Sequence, residues 1–223
     1  MECWVNVKDF SSNNMVATRY NSPANTNSNS QFQLSINSAT QIIANLCSGT
    51  TESSAIFNGS ALSVNTWYHL ALVRYSNNIY CYVNGQVYGT PVAYSSTLND
   101  GIYNFLLGNR NNGDLKFSGY ISNFRLINGQ AAYTSTFTPS TSSLSITTST
   151  GGVTLSAQKV SLLGLQDNVC NDNGINKLSL NSVGTVSILP HSPFNSLSAS
   201  YDSNLYGSSI YFDGSKAGYI KSA

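Results

Sequence analysis

Side chains that could do acid–base or nucleophilic chemistry are few in this sequence, and no catalytic spacing links them. Glutamate occurs only at Glu2 and Glu52, whereas hydrolysis of a glycosidic bond needs two carboxylates that flank the bond, roughly 5–10 Å apart. The two histidines, His69 and His191, have no Ser/Asp or Cys partner at a motif spacing. Most aspartates lie close to glycine or asparagine, where a turn or capping role is the default: Asp100, Asp114, Asp167, Asp172, Asp202 and Asp213. The sequence therefore predicts that the protein is not an enzyme.

Cysteine and histidine spacing gives no support for a metal site. None of the four cysteines (Cys3, Cys47, Cys81 and Cys170) belongs to a Cys-x-x-Cys pair, and no histidine cluster lies near them. A zinc site is therefore not expected. Buried free thiols that act as small hydrophobic side chains are the preferred interpretation, and a disulfide is the alternative. No dense acidic loop is present for calcium, so no cofactor is predicted.

Outward-facing tyrosines are the first candidates for ligand contact. In the segment 79–83, Ile79, Cys81 and Val83 alternate with Tyr80 and Tyr82, which is the period of a half-buried strand. If the first three side chains face the core, the two tyrosines face outward. An outward tyrosine pair could stack on sugar rings or pack at a subunit interface. The alternative is that these tyrosines cover a sheet face or an adjacent loop.

The turn-rich stretch 109–114 holds the second set of candidates. Its side chains Asn109, Arg110 and Asp114 offer donors and acceptors that could hydrogen-bond a glycan. Turn structure alone explains these residue types equally well. Both interpretations stay open at the level of the sequence.

The elements that would carry these residues have the patterns of strands. The segment 67–75 is rich in residues that favour strands and is apolar on both faces, as in a central strand covered on each side. A turn at 76–78 leads into the alternating segment 79–83. Asn84-Gly85 then predicts a tight hairpin, because both residues tolerate positive φ. No stretch shows a convincing amphipathic helical period, so the sequence predicts an all-β fold.

Two stretches of the sequence, residues 67–85 and then residues 119–139, resemble the motifs of a known family in the order in which that family has them. Residues 67–85 resemble the pattern Trp-x-His-(apolar)-Ala-(apolar)-(apolar)-Arg followed by Tyr-Val-Asn-Gly, which belongs to the concanavalin A-like, laminin-G-like (LamG) sandwich domains. Residues 119–139 resemble a narrower branch, with Gly-x-Ile-Ser-Asn-x-Arg followed by Ala-x-Tyr and Phe-Thr-Pro. That branch is common in bacteriophage tail-fibre and other virion surface proteins. The resemblance covers residues 1–150 and implies a jelly-roll sandwich of two antiparallel sheets.

The resemblance also assigns several motif residues to structure. Arg74 and Arg125 recur in the family motifs, which indicates structural pairing, and His69 belongs to the motif of the fold. Some relatives hold calcium in loops, so calcium stays an alternative to the absence of a cofactor.

The end of the chain resembles the beginning of the same repeat. Residues 140–158 are rich in Ser, Thr and Gly, and 151–159 are assigned to a linker. Residues 160–223 resemble the strands that lead into such a domain. Three arrangements follow: a piece of a longer tandem array, a circularly permuted domain, or a tail that completes a neighbouring subunit. We expect this tail to complete the sandwich, in cis or in a neighbouring subunit, because a sandwich without it would have open edges.

Composition and resemblance together imply a non-catalytic structural and adhesive module. Of the 223 residues 9% are charged, with a net charge of +1, against about a quarter charged in an ordinary domain. Such a surface attracts nucleic acid little. The sequence contains no apolar run long enough to cross a membrane, and its first residues do not lead us to expect a signal peptide. No nucleic-acid partner and no membrane insertion are therefore expected.

The expected setting is a virion surface, a tail fibre or an extracellular filament. The expected partners are copies of the chain, as a homo-oligomer or as repeat neighbours, and cell-surface glycans. The alternative is a secreted lectin-like carbohydrate-binding module of a cellular adhesin, and a degenerate glycan hydrolase is the third hypothesis.

Overall fold

Two antiparallel β-sheets pack face to face in the computed structural model of the protein, which describes residues 1–20, 29–110, 113–194, 206–215 and 218–222. Within these residues the sheets contain nine and seven strands and are here called sheet A and sheet B. A short 3₁₀ helix spans Ala157–Lys159. In the described part of the chain, no helix is long and apolar enough to span a membrane. The predicted all-β sandwich of two antiparallel sheets is confirmed.

Sheet A contains the first strand of the chain near its centre. From one edge to the other, its main path is β14 (Val186–Leu189), β15 (Ser209–Asp213), β11 (Ser118–Ile127), β1 (Glu2–Val7), β6 (Trp67–Tyr75), β7 (Asn78–Val83) and β8 (Gln86–Val87). Two further strands pair outside this path: β12 (Val160–Gly164) with β11, and β9 (Val92–Ala93) with β7.

Sheet B lies on the other side of the core. From one edge to the other, its strands are β13 (Leu180–Val183), β16 (Tyr219–Ser222), β10 (Leu106–Leu107), β2 (Asn14–Arg19), β3 (Phe32–Ser38), β4 (Gln41–Ser48) and β5 (Thr51–Asn58). Consecutive strands from β2 to β5 pair as a meander, as short turns between antiparallel neighbours allow.

The main hydrophobic core lies between the sheets, because each strand places alternate side chains on its inner face. Along β1, Cys3, Val5 and Val7 are buried in this core, and Ile36 of β3 belongs to it from sheet B. The intervening side chains of β1 therefore lie on the outer face of sheet A. That outer face carries the polar and aromatic clusters that concern function.

Part of this outer face is covered by the chain that follows β11, residues 131–155, here called the covering segment. The hairpin turn between β7 and β8 anchors it, since the N–H of Phe137 donates to the carbonyl of Gly85 at 3.0 Å. Asn84 and Gly85 have φ angles of 49° and 76°, as the hairpin prediction requires. A hydrophobic cluster joins the segment to the sheet: Ala71, Val73, Tyr82, Ala132, Tyr133, Phe137 and Leu155.

Strands from the end of the chain lie inside both sheets. β15 pairs with β11 on one side and with β14 on the other, and β16 pairs with β10 and β13. Ile210, Phe212 and Ile220 of these strands are buried in the main core. Residues 151–159 lead to this part of the chain, and Leu155 among them is buried against sheet A.

Candidate functional site

Four residues far apart in the sequence meet in one buried polar cluster on the outer face of sheet A. Glu2 lies on β1, His69 on β6, Arg125 on β11 and Tyr133 in the covering segment. Register explains part of this meeting, since Glu2 pairs with Arg125 on one side of β1 and with Ala71 on the other. Glu2 is 2% exposed, and the other three residues are at most 1% exposed.

Both carboxylate oxygens of Glu2 are occupied. Arg125 donates to Oε1 from Nε at 3.0 Å and from Nη2 at 2.6 Å. The Tyr133 hydroxyl donates to Oε2 at 2.6 Å, and Nε2 of His69 lies 3.1 Å from the same oxygen. Burial and the negative charge of Glu2 raise the pKa of Tyr133, so its hydroxyl stays a donor.

These contacts keep Glu2 ionised and fasten the covering segment to the sheet. Burial acts to raise the pKa of Glu2, but the hydrogen bond with His69 and the charge of Arg125 outweigh it and lower that pKa to about 2. Nη1 of Arg125 donates to the backbone carbonyls of Ser145 and Thr148 in the covering segment. The cluster therefore has the geometry of a structural ion pair, with no carboxylate oxygen left for a substrate.

A cleft of about 700 Å³ opens beside this cluster. Of the described residues that line it, the carboxylates are those of Glu2 and Asp100. Its other polar side chains include Arg74, which donates to the carbonyl of Ser95 at 3.1 Å. Since Glu2 is fully engaged, the described lining offers Asp100 without a second available carboxylate, and hydrolysis of a glycosidic bond needs two.

A row of aromatic side chains crosses the other half of the outer face. Asn6 pairs with Trp67 on one side of β1 and with Tyr120 on the other, and Tyr120 pairs with Tyr211 of β15. The ring centroids lie 6.2 Å apart for Trp67 and Tyr120 and 5.0 Å apart for Tyr120 and Tyr211. All three rings are partly exposed, and they are here called the aromatic row.

Two side chains from the stretch after β14 extend this aromatic surface. The imidazole of His191 lies 4.5 Å from the ring of Tyr120 and 5.2 Å from that of Trp67. Partial burial of the ring lowers the pKa of His191 below its ordinary value, which favours the neutral imidazole. Phe194 packs edge-on against Trp4 at 5.8 Å. His191 and Phe194 thus enlarge the aromatic surface around Trp67 and Tyr120.

Two buried polar atoms in the row have no hydrogen-bond partner within the described part of the chain. Nε1 of Trp67 is a donor and Oδ1 of Asn6 is an acceptor, and the two residues are direct cross-strand neighbours. An unsatisfied buried polar group costs about 1–3 kcal/mol. A hydroxyl group can accept from an indole N–H and can donate to an amide oxygen, so both atoms have the chemistry to pair with one, although both are buried in this structure.

Tyr80 and Tyr82 face away from the main core, as their alternation predicts, but they do not form an open pair. Tyr82 is 1% exposed, because its ring packs 5.4 Å from that of Phe137 in the covering segment. Tyr80 stacks on Tyr82 at 6.2 Å and borders the same hydrophobic cluster. Tyr82 therefore packs under the covering segment in this structure, as the alternative interpretation expects, and glycan or interface contact at Tyr80 and Tyr82 stays a prediction.

The structure brings the three predicted loop residues together after β10. Nε of Arg110 donates to Oδ1 of Asp114 at 2.8 Å, and the guanidinium lies 5.8 Å from the ring of Tyr20. Asn109 is buried, and its Oδ1 accepts from the N–H of Arg110 at 2.8 Å. Residues 111–112 of the same loop lie outside the described residues. These contacts account for the loop itself, and glycan binding there stays a prediction.

All four cysteines are free thiols. Burial raises the pKa of the Cys3 and Cys81 thiols, and burial together with the charge of Glu52 raises that of Cys47 to about 11. These thiols are therefore protonated at neutral pH and pack as small hydrophobic groups. Among the described residues, no group of three or more His, Cys, Asp or Glu side chains could hold a metal ion.

Comparison with family models identifies the fold family. A laminin-G family model, described as the concanavalin A-like lectin/glucanases superfamily, matches residues 1–132, which is more than half of the chain. The chain belongs to the concanavalin A-like lectin/glucanase superfamily. No curated protein and no solved structure matches it.

Membership of the concanavalin A-like superfamily suggests a carbohydrate-binding or adhesive module, and domains of this kind are typically extracellular or surface domains. The matched range contains Glu2, His69 and Arg125 of the buried cluster. It also contains Trp67 and Tyr120, whereas Tyr211 lies outside it.

The aromatic row is the site that sequence reasoning missed in this superfamily member. Trp67 is the first residue of one motif string and Tyr120 the second residue of the other, and each stands at an outward position of its strand. An outward aromatic residue in both strings was the signal that could have directed attention to them. Their side-by-side placement depends on β1 lying between β6 and β11, and no local pattern in the sequence specifies that order.

Proposed function

We propose that this superfamily member is a non-catalytic adhesive surface module that binds a glycan on the aromatic row. The observation that carries the proposal is the alignment of Trp67, Tyr120 and Tyr211 on one face of sheet A, with each ring partly exposed. Exposed aromatic faces offer apolar surface with a polar edge, which suits the C–H face of a sugar ring. Ligand sites combine such surface with a few oriented polar groups.

The unpaired atoms at the base of the row support a sugar in particular. A sugar carries hydroxyl groups around an apolar ring face, and a hydroxyl can pair with an indole N–H or with an amide oxygen. Nε1 of Trp67 and Oδ1 of Asn6 are buried without a partner, so the proposal requires the side chains over them to move when the sugar binds. The exposed imidazole of His191 now packs on Trp67 and Tyr120. A stacked sugar would take the place of that imidazole.

The proposed module binds the glycan without hydrolysing it. Glu2 is engaged by three side chains, and Glu52 accepts from the Tyr20 hydroxyl at 2.6 Å. The described glutamates thus present no pair of available carboxylates on either side of a bound sugar, the arrangement that glycoside hydrolysis uses. Release of sugar products from a bound polysaccharide would contradict this part of the proposal.

We propose a virion, a tail fibre or another extracellular filament as the setting, with a secreted lectin-like adhesin module as the alternative. The charged fraction of 9% and the resemblance of residues 119–139 to virion repeats support the first. β15 and β16 insert between strands of both sheets, so exchange of this part between copies would give head-to-tail assembly. Light scattering after size-exclusion chromatography separates the two: ordered oligomers favour the filament, and a monomer favours the lectin.

A glycan array followed by titration calorimetry tests the binding site. We expect the wild-type chain to bind at least one glycan, and Trp67→Ala and Tyr120→Ala each to weaken binding about tenfold or more, as loss of a central aromatic contact does. Tyr75→Ala is the matched control, because Tyr75 is a 45% exposed aromatic residue on the same strand as Trp67. We expect it to leave the affinity unchanged.

Two further measurements separate binding from folding. Thermal unfolding followed by circular dichroism shows whether each variant is folded, and Trp67→Phe keeps a ring at the position while it removes the indole N–H. We expect Trp67→Phe to bind more tightly than Trp67→Ala and more weakly than the wild type. Unchanged affinity in the folded Trp67 and Tyr120 variants, or no glycan binding by the wild-type chain, would overturn the proposal.

A further inference from the structure

Lys8 brings a positive charge to the aromatic row. It follows the last residue of β1, and its Nζ lies 4.9 Å from the ring centroid of Tyr211 and 5.9 Å from that of Tyr120. Its backbone N–H donates to the carbonyl of Ser118 at 2.9 Å, which fixes the residue beside β11. An ammonium group over aromatic rings is attracted to their electron-rich faces, so the charge is held at the row.

This ammonium is not neutralised by a neighbouring carboxylate of the described residues. Lys8 takes part in none of the ion pairs found there. Asp9, the next residue, accepts from the N–H of Ser11, and Asp213 of β15 accepts from that of Ser215, each at 2.8 Å. Both aspartates stay ionised, because these turn hydrogen bonds lower the pKa of each carboxyl, but neither forms an ion pair with Lys8. The ammonium therefore keeps donors for an anionic group from outside the chain.

We propose that the aromatic row prefers a sugar that carries a carboxylate, as hexuronates and sialic acids do, and that Lys8 provides this preference. The inference rests on the proposed function, because it concerns the same surface. Nζ of Lys8 lies over the rings of Tyr211 and Tyr120, so a sugar that stacks on the neighbouring ring of Trp67 presents a ring substituent towards the ammonium. A carboxylate there pairs with the ammonium, whereas a neutral hydroxymethyl group does not.

The proposal separates two contributions to binding. Stacking on Trp67 and Tyr120 and a hydroxyl contact with Asn6 act on neutral and acidic sugars alike. The contact with Lys8 acts on the acidic sugar alone, and salt weakens it because Lys8 is exposed. Lys8 is thus a specificity-determining residue, and its removal should leave the binding of neutral sugars intact.

Matched pairs of glycans test this preference by calorimetry at low and high salt. One pair is an oligogalacturonate and the galactose oligomer of the same length and linkage, and the other is a sialylated oligosaccharide and its desialylated form. We expect the acidic member of at least one pair to bind about fivefold more tightly at low salt, which is the upper size of an exposed ion pair. The pair that shows the difference identifies the source of the carboxylate.

Three variants isolate Lys8 as the cause. Lys8→Gln should remove the preference without weakening the neutral sugar, and Lys8→Arg should keep it. Lys159→Gln is the control, because it makes the same change in net charge at a distant position. Lys159 precedes β12, which pairs with the end of β11 that is far from Tyr120. This variant should leave the preference for the acidic sugar unchanged.

The outcomes distinguish this inference from the proposed function. If acidic and neutral sugars bind equally well, or if Lys8→Gln leaves their ratio unchanged, while Trp67→Ala weakens both, the carboxylate preference is overturned and glycan binding on the row stands. If neither kind of sugar binds the wild-type chain, both proposals fail together.

Discussion

Arg125 donates two hydrogen bonds to one carboxylate oxygen of Glu2, at 3.0 and 2.6 Å, and neither side chain is more than 2% exposed. The two residues belong to β11 and β1 and become neighbours through strand pairing. Arg125 also donates to carbonyls of the covering segment. The pair therefore joins the first strand, the longest strand of sheet A and the layer that covers it.

Glu2→Gln should strongly destabilise the fold. Removal of one charge from a buried pair leaves the other charge buried without its partner, which costs about 3–5 kcal/mol. Urea denaturation measures the free energy of unfolding. Arg110→Gln is the control, because it breaks the more exposed pair with Asp114 and should cost at most about 1 kcal/mol. Equal small losses in the two variants would show that the Glu2 cluster does not hold the layers together.

Stability should fall in acid through the same carboxylate. The pKa of Glu2 is lowered from 4.5 to about 2 in the folded chain, so its stabilisation is fully present above pH 4.5 and is lost as the pH falls towards 2. Urea midpoints measured from pH 7 to pH 2 test this. In Glu2→Gln the decline over that window should be shallower, and an identical decline in both proteins would contradict the assignment.

The sequence predicts which side chains face the core of the sandwich. It does not predict which side chains of the outer face are covered and which are exposed. Cys81 lies in the core because alternation along β7 places it there. Tyr82 and Trp67 both stand at outward positions, yet Tyr82 is buried under Phe137 and Trp67 is partly exposed beside His191. The difference arises from which distant segments lie over each strand, and alternation contains no information about that.

The contacts within the buried cluster of Glu2, His69, Arg125 and Tyr133 could not be predicted from the sequence either. The resemblance assigns Arg125 to structural pairing, and the structure confirms that Arg125 is paired. Its partner, Glu2, could not be chosen from the sequence, because the contact needs β1 to lie beside β11. Motif residues therefore predicted the fold, while their mutual contacts followed only from the order of strands in sheet A.

Gly85→Ala should destabilise the hairpin more than an alanine at an open turn. Gly85 has φ of 76°, and a Cβ there would lie 1.8 Å from the carbonyl oxygen of Phe137. Gly49→Ala is the control, since Gly49 has φ of 57° with nothing within 4 Å of its Cβ position. The control should lower the free energy of unfolding by about 1 kcal/mol, because alanine is disfavoured at positive φ. Gly85→Ala should lower it clearly more, and thermal unfolding measures both variants. Equal losses would mean that the covering segment does not press on this turn.

Phe212→Ala should reveal whether the last strands complete the core. Phe212 is 1% exposed and packs 6.0 Å from Phe117, so its loss should cost about 3–5 kcal/mol. Asp213→Asn, at the exposed neighbouring position, should change stability by less than about 0.5 kcal/mol. Urea denaturation compares the two variants.

Protein concentration then distinguishes folding within one chain from exchange between chains. A strand supplied by the same chain gives an unfolding midpoint that is independent of concentration, whereas a strand supplied by a neighbour raises the midpoint as concentration rises. The pairing of β15 with β11 in one chain leads us to expect independence for the isolated chain. A midpoint that rises with concentration would favour assembly by exchange.

Tryptophan fluorescence tests glycan binding on the aromatic row most directly. The chain has two tryptophans, Trp67 in the row and Trp4, which packs against Phe194 on the same outer face. In Trp4→Phe the remaining signal reports Trp67 alone. We predict that its emission changes on titration with the glycan selected from the array and saturates at the concentration found by calorimetry. Binding detected by calorimetry with no change in the Trp67 emission would contradict a site on this face.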